Sequence, residues 1–286
     1  MRFGVHVGIG GNFPIKTIQQ ARDAGCDCIQ IFAGNPRGWR RTPYNVRAWQ
    51  EFKALRKQYG IFPVLIHSSY LVNLTTTNRT LHANSTMLVA NDLEVAARGG
   101  IEYVNTHLGS YGEQTHAAGI ARVSATISNL IKTAKPGPML LLENSAGAGN
   151  LCGGTMEEIG EILRTVDNKR VGVCLDTAHA WASGYDIHDE KGVDAFLASV
   201  RKNIGFKRVR ALHLNDTKVA LGAKRDLHWH LGQGRIGTNG FRALLSRPEL
   251  AHAAAICETP KSIEEDRMNL GAARRLAGVT RSKPKS

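Results

Sequence analysis

Long apolar runs are missing from this chain of 286 residues. None approaches the roughly 20 residues that a membrane-spanning helix needs, which excludes a helical membrane protein. The N-terminal MRFGVHVGIGG enters a strand-like run at once and lacks a small-residue cleavage site, so no secretory leader is expected. Cysteine is scarce and odd in number, at Cys26, Cys28, Cys152, Cys174 and Cys257. Cys174 and Cys257 fall inside apolar runs, and Cys26-x-Cys28 lacks the two-residue spacing of a redox or zinc pair. These features exclude a disulfide scaffold and predict reduced thiols in a cytoplasmic protein. Acidic residues are outnumbered, with 24 Asp and Glu against 37 Lys and Arg, a formal net charge of +13 and a pI near 9.8. That balance points to an anionic partner, most simply nucleic acid. Repeats, linkers and low-complexity stretches are also absent, apart from the basic tail GVTRSKPKS. A hydrophobic share of 42% excludes wholesale disorder, and the length suits one large domain, placed here at 1–275 with a tail at 276–286.

What is present is an alternation. Short apolar, β-branched runs lie near 3–7, 28–32, 61–67, 101–107, 139–143, 170–176, 208–214 and 254–258. Helical patterns lie between them, near 16–25, 46–60, 80–98, 115–134, 155–166, 189–203, 238–247 and 261–274. Gly25, Gly60 and the Gly99-Gly100 pair stand where helix stops are expected. Eight such units predict a closed (β/α)8 barrel with right-handed crossovers.

Six of the strand-like runs close on metal-binding side chains: His67, His107, Glu143, Asp176, His213 and Glu258. Ligand-type residues at the same end of successive strands converge on one barrel mouth, where barrel enzymes build their sites. His179 follows Asp176 by one helical turn, and the long connection after the seventh strand, about 215–236, adds Asp226 and His228. For any one of these histidines alone a packed core role is the better reading; the joint pattern reverses it. Imidazole mixed with carboxylate and no cysteine suits zinc, manganese or iron in a catalytic site. A single catalytic metal needs only three protein ligands, so nine candidates imply more than one ion, especially if Glu143 bridges. Clustered divalent cations suit phosphoester cleavage. His6 and Asp216 are expected to support the ligands by hydrogen bonding. His82, His116, His188 and His252 lack strand-end context and are read as structural, and His230 is ambiguous. Gly232-Gln-Gly-Arg-Ile-Gly237 matches a dinucleotide fingerprint in letters only, because no strand directly precedes it; a turn back toward the mouth is the simpler reading. Arg37, Arg40, Arg41, Lys218, Lys224, Arg225 and Arg235 are expected in loops around the mouth.

At these residues the chain resembles the endonuclease IV family of apurinic/apyrimidinic endonucleases, from about residue 3 to residue 272. GVHVGIGGN, IFAGNPRGWR, IHSSYLVNL, NTHLGS, LLLENSAGAG, GVCLDTAHAWASGYD, LHLNDTK, DLHWHLGQGRIG and CET carry the likeness. The resemblance implies a xylose-isomerase-like barrel with three zinc ions. His67, His107 and Glu143 would hold the first, shared Glu143 with Asp176, His213 and Glu258 the second, and His179, Asp226 and His228 the third. It implies attack by hydroxide 5′ to an abasic site in duplex DNA, leaving a 3′ hydroxyl and a 5′ deoxyribose phosphate, and removal of 3′ blocking groups. It further implies that the abasic nucleotide is flipped out, with Arg37, Tyr70 and Leu71 filling the gap, and that the protein is a monomer acting in base excision repair. Gly38 and Ser68 depart from what some members carry, which bears on gap filling and rate. Two other readings remain open. A sugar isomerase or epimerase on the same barrel would use Glu143, Asp176, His213 and Glu258 around one ion. A non-enzymatic DNA-damage-binding protein would carry a degenerate site.

Overall fold

The structure, a computed structural model, describes residues 1–40, 45–260 and 262–279; Arg41 and residues 280–286 of the expected tail lie outside them. Eight strands form one closed parallel barrel in sequence order: β1 (Arg2–His6), β2 (Cys28–Phe32), β3 (Val64–His67), β4 (Tyr103–Thr106), β5 (Met139–Glu143), β6 (Val171–Asp176), β7 (Val209–His213) and β8 (Ala254–Cys257). β8 pairs with β1, so no sheet edge is left. The expected architecture is therefore present. β3, β4, β6, β7 and β8 are shorter than their apolar runs, and His107 and Glu258 stand one residue beyond β4 and β8.

The barrel is wrapped by α1 (Ile15–Ala24), α2 (Val46–Gln58), α3 (Arg79–Gly99), α4 (His116–Thr133), α5 (Met156–Val166), α7 (Glu190–Asn203), α8 (Gly237–Leu245) and α9 (Ile263–Leu276). Leu276 and Ala277 still pack against the core, so the packed chain runs past residue 275. Helix starts are written locally. Asn45, Asn78, Thr115, Thr155, Asp189 and Ser262 each accept a hydrogen bond from a first-turn amide, which satisfies a donor the helix cannot. One further helix, α6 (Thr177–Ser183), lies outside the expected pattern. It begins directly at the end of β6 because the Asp176 side chain caps it, accepting from the His179 amide at 2.8 Å.

Side chains alternate across each strand, and the two faces differ. Outward residues such as Val5, Ile29, Ile66, Val104, Leu142 and Val173 join the large core beneath the helices. Inward residues Cys28, Leu65, Leu141, Cys174, Ala211 and Ile256 form a separate plug that fills the barrel. Two residues further along, the same inward face carries Gln30, His67, Glu143, Asp176 and His213 in place of apolar groups. Period two thus turns a greasy plug into a polar floor one layer higher. Burying a large apolar side chain stabilises by about 1.5–3 kcal/mol, and the plug and outer core supply that many times over for the costly polar layer above.

Candidate metal centre

The nine candidate ligands meet at the C-terminal mouth of the barrel. Ligand-type atoms of His67, His107 and Glu143 lie within 4.8 Å of one another, as do those of Glu143, Asp176, His213 and Glu258. A third group joins Asp176, His179 and His228 in the same way. Asp226 Oδ1 completes it from the open side, 3.3 Å from His179 Nε2 and 3.1 Å from His228 Nε2. Asp176 therefore belongs to two groups rather than one. Glu143 also faces two ways. Its Oε2 is 3.2 Å from His67 and 3.3 Å from His107, while Oε1 is 3.1 Å from His213 and 3.3 Å from His179.

The imidazoles are oriented from behind. A carbonyl can only accept, so a ring nitrogen that meets one carries the proton. His67 Nδ1 donates to the Ser68 carbonyl at 2.7 Å, His179 Nδ1 to that of Asn144 at 2.9 Å, and His228 Nδ1 to that of Glu258 at 3.2 Å. Each ring's remaining nitrogen then faces the cavity with a lone pair. His213 is turned the opposite way: Nε2 donates to Gln30 Oε1 at 2.9 Å, which leaves Nδ1 among three carboxylates. The Gln30 amide cannot be reversed, because its Nε2 donates to Glu258 at 2.5 Å and to His6 Nδ1 at 3.1 Å.

Other neutral amides hold the carboxylates. Asn105 Nδ2 donates to Glu143 Oε2 at 2.5 Å, and Asn215 Nδ2 to Asp176 Oδ2 at 2.7 Å. Asn215 Oδ1 accepts the Glu258 amide at 2.9 Å, and Asn144 Oδ1 accepts the Asp176 amide at 2.7 Å. Sequence reading missed Gln30, Asn105, Asn144 and Asn215. The available signal was an amide-bearing residue within or just after an apolar strand, where it must find a partner.

Lone pairs facing carboxylates repel unless positive charge lies between them. Burial alone raises the Glu143 pKa, yet His107 and His213 hold it well below the usual carboxylate range. Glu258 is likewise held low against its burial, by His213, His6 and His67. Burial lowers the His228 pKa, but Asp176 and Asp226 push it up to about 9. The cluster therefore gathers negative charge that imidazolium protons or divalent ions would balance. His228 Nε2 is buried and makes no well-aligned hydrogen bond although Asp226 Oδ1 lies 3.1 Å away, which fits a nitrogen and an oxygen aimed at a shared ion. Imidazole and carboxylate donors without thiolate suit zinc or a related divalent ion.

His6 stands beside the cluster, 3.7 Å from Glu258, with its ring 4.3 Å from that of Phe32. The Asp216 carboxylate accepts from four backbone amides, those of Thr217, Gly234, Ile236 and Gly237, rather than bonding to a candidate ligand. His230 turns away to Asn269 and Glu265 on α9. His82 binds Thr126, His116 Glu158, His188 Asp186 and His252 the Val209 carbonyl, all apart from the mouth. A cavity of about 270 Å³ opens above the cluster, with Phe32 and Tyr70 in its wall. Tyr70 is 58% exposed, its ring 5.3 Å from that of Phe32. Its amide and the Ser69 hydroxyl both donate to the Pro36 carbonyl, at 3.2 and 2.7 Å. That joins the loop of Tyr70 and half-buried Leu71 to the loop of exposed Arg37. Arg40, Lys218, Lys224, Arg225 and Arg235 are also exposed. No helix among the described residues is long and apolar enough to cross a membrane.

The chain matches, over residues 18–279, the family model described as a xylose isomerase-like TIM barrel. It is 39% identical over 283 residues to the probable endonuclease 4 of Chloroflexus aggregans, spanning 98% of this chain and 99% of that one. In shape it is similar to the crystal structure of endonuclease IV from Thermus thermophilus, with a TM-score of 0.87, 36% identity, and 97% and 99% of the two chains covered. A D-tagatose 3-epimerase-like protein shares the fold alone, with a TM-score of 0.76 at 19% identity over 97% of each chain.

Proposed function

The chain belongs to the endonuclease IV family, and from that premise we propose that it hydrolyses the phosphodiester 5′ to abasic sites in duplex DNA. The products are a 3′ hydroxyl and a 5′ deoxyribose phosphate, and 3′ blocking groups are removed by the same site. The observation that carries this reading is Glu143, whose two oxygens face separate groups of imidazoles. A carboxylate so placed would serve both groups of donors if ions were held there.

Three zinc ions fit the donors. His67, His107 and Glu143 would hold the first; Glu143, Asp176, His213 and Glu258 the second; His179, Asp226 and His228 the third, with Asp176 alongside. When bound, such ions polarise phosphoryl oxygens, make water nucleophilic near neutral pH and neutralise the leaving oxygen. Glu143 would help align the attacking water, and the buried amides of Gln30, Asn105 and Asn215 hold the carboxylates that would receive such ions. Arg37, Tyr70 and Leu71 fill the space from which the abasic nucleotide is flipped; a site lacking a base has less stacking to lose, which favours the damaged duplex. The basic loops hold the flanking phosphates. The protein acts as a monomer in the cytoplasm, on nucleoid DNA.

The test is incubation with a duplex carrying one abasic-site analogue, with and without chelator. A chelator-sensitive cut 5′ to the lesion is expected; no cut, or one indifferent to chelator, overturns the proposal. Elemental analysis should find three zinc ions per chain. A single ion would instead favour sugar isomerisation, for which Glu143, Asp176, His213 and Glu258 suffice.

A further inference from the structure

We propose that Asp216 and the glycine-rich turn 232–237 form a latch that places the ligands of the third ion, making Asp216 a positioning residue for that ion. The inference rests on the three-ion reading above.

Asp216 is fully buried three residues past the end of β7, yet its carboxylate is met by four backbone amides rather than by a cationic side chain. Oδ1 accepts from Thr217 at 2.8 Å and Ile236 at 3.0 Å, and Oδ2 from Gly234 at 2.9 Å and Gly237 at 3.2 Å. The turn thus surrounds a carboxylate as an anion-binding nest surrounds a phosphate, but the anion is the protein's own. Gly234 has no alternative residue: a Cβ there would stand 2.4 Å from Asp216 Oδ1 and 2.3 Å from the Thr217 carbonyl.

The latch lies at the base of the excursion that carries Asp226 and His228. Backbone bonds between Asp216 and Trp229, at 3.1 and 2.7 Å, fix the residue next to His228. The far end of the excursion is fixed to α6, the helix that carries His179. Trp181 Nε1 donates to the Val219 carbonyl at 3.0 Å, Gly222 donates to the Trp181 carbonyl at 3.1 Å, and Lys224 to that of Ala182 at 2.9 Å. All three ligands of the third ion therefore ride on pieces tied to each other at two points. Neither tie contributes an atom to the ion, and only the Asp216 tie rests on a charged side chain.

Two substitutions break the latch from opposite sides: Asp216→Asn, which turns an N–H toward the amide donors, and Gly234→Ala, which drives a methyl group into the carboxylate. Metal content and chelator competition on the purified holoprotein should show two ions unchanged and the third bound about 10–100-fold more weakly, the usual effect of removing a support behind a metal ligand. In the metal-free protein, amide exchange should quicken over 217–230 and stay unchanged in the barrel strands. Should Asp216→Asn fail to fold, Gly234→Ala, on a partly exposed turn, carries the test. The proposal is overturned if the variants hold all three ions as tightly as the parent, if all three weaken alike, or if exchange over 217–230 does not change. If the parent itself binds fewer than three ions, the three-ion reading falls instead, and exchange in the metal-free protein decides the latch alone.

Discussion

At the floor of the mouth, Glu143, Asp176 and His213 are no more than 1% exposed, and each is held by a buried carboxamide on another segment. At the rim, the Asp226 side chain is 54% exposed and pairs with His179 and His228. Beyond it stand exposed Tyr70, Arg37 and the basic residues of the long loop. The floor is rigid because its donors and acceptors are bound to one another, and an unpaired buried group would cost about 1–3 kcal/mol. The rim is held by fewer bonds and faces water, which screens its charges. The contrast teaches where each task belongs: chemistry that tolerates little displacement sits on strand ends, and contact with a large polymer sits on loops.

Substitutions can break that contrast, and the largest effect belongs to the floor. Glu143→Gln keeps the shape but removes the charge shared by two groups, so single-turnover incision of an abasic duplex should fall by more than about 100-fold, since losing even a support behind a metal ligand typically costs about 10–100-fold in activity. Undiminished cleavage would remove Glu143 from the reaction. Next comes Asp226→Asn at the border. Elemental analysis should show one ion lost and two kept, with incision reduced less than by Glu143→Gln; loss of all the metal would show that rim and floor are one unit. Tyr70→Ala should act on binding alone, since stacking on an aromatic side chain contributes about 1–3 kcal/mol. Titration of catalytically blocked Glu143→Gln with abasic duplex, with and without Tyr70→Ala, measures it, and a pair of equal curves would count against the wedge. Smallest is Arg37→Ala, which should lower the slope of log affinity against log salt by about 1, if it holds one phosphate. A slope identical to the parent's would place Arg37 off the DNA.

The parts of this molecule that were legible in sequence share a physical cause. Strand-end ligands could be read because an inward position two residues past Leu65, Leu141, Cys174 or Ala211 must face the mouth, whatever the rest of the chain does. The helix stops could be read because Gly25 and Gly100 adopt left-handed backbone, which few other residues accept. What escaped depends on contacts between distant segments. Gln30 looks like an interruption of CIQIF until Glu258, 228 residues away, is brought to its amide. Asp216 looks in HLNDTK like a support hydrogen-bonded to a ligand side chain; only the folded turn 232–237 reveals that backbone amides occupy its carboxylate. Helix α6 was hidden because one residue, Asp176, serves as strand end, cap and candidate ligand together.

That coincidence at Asp176 has a thermal consequence. One oxygen holds the first turn of α6 and the other lies among His213, His228 and Asn215. Anything that binds the native arrangement and not the unfolded chain raises the temperature at which the two are balanced. An ion on Asp176 would therefore stiffen the helix that also carries His179 and anchors the long loop. Melting of this region and release of metal become a single event, and a calorimetric scan in chelator should move the whole transition downward rather than split it in two.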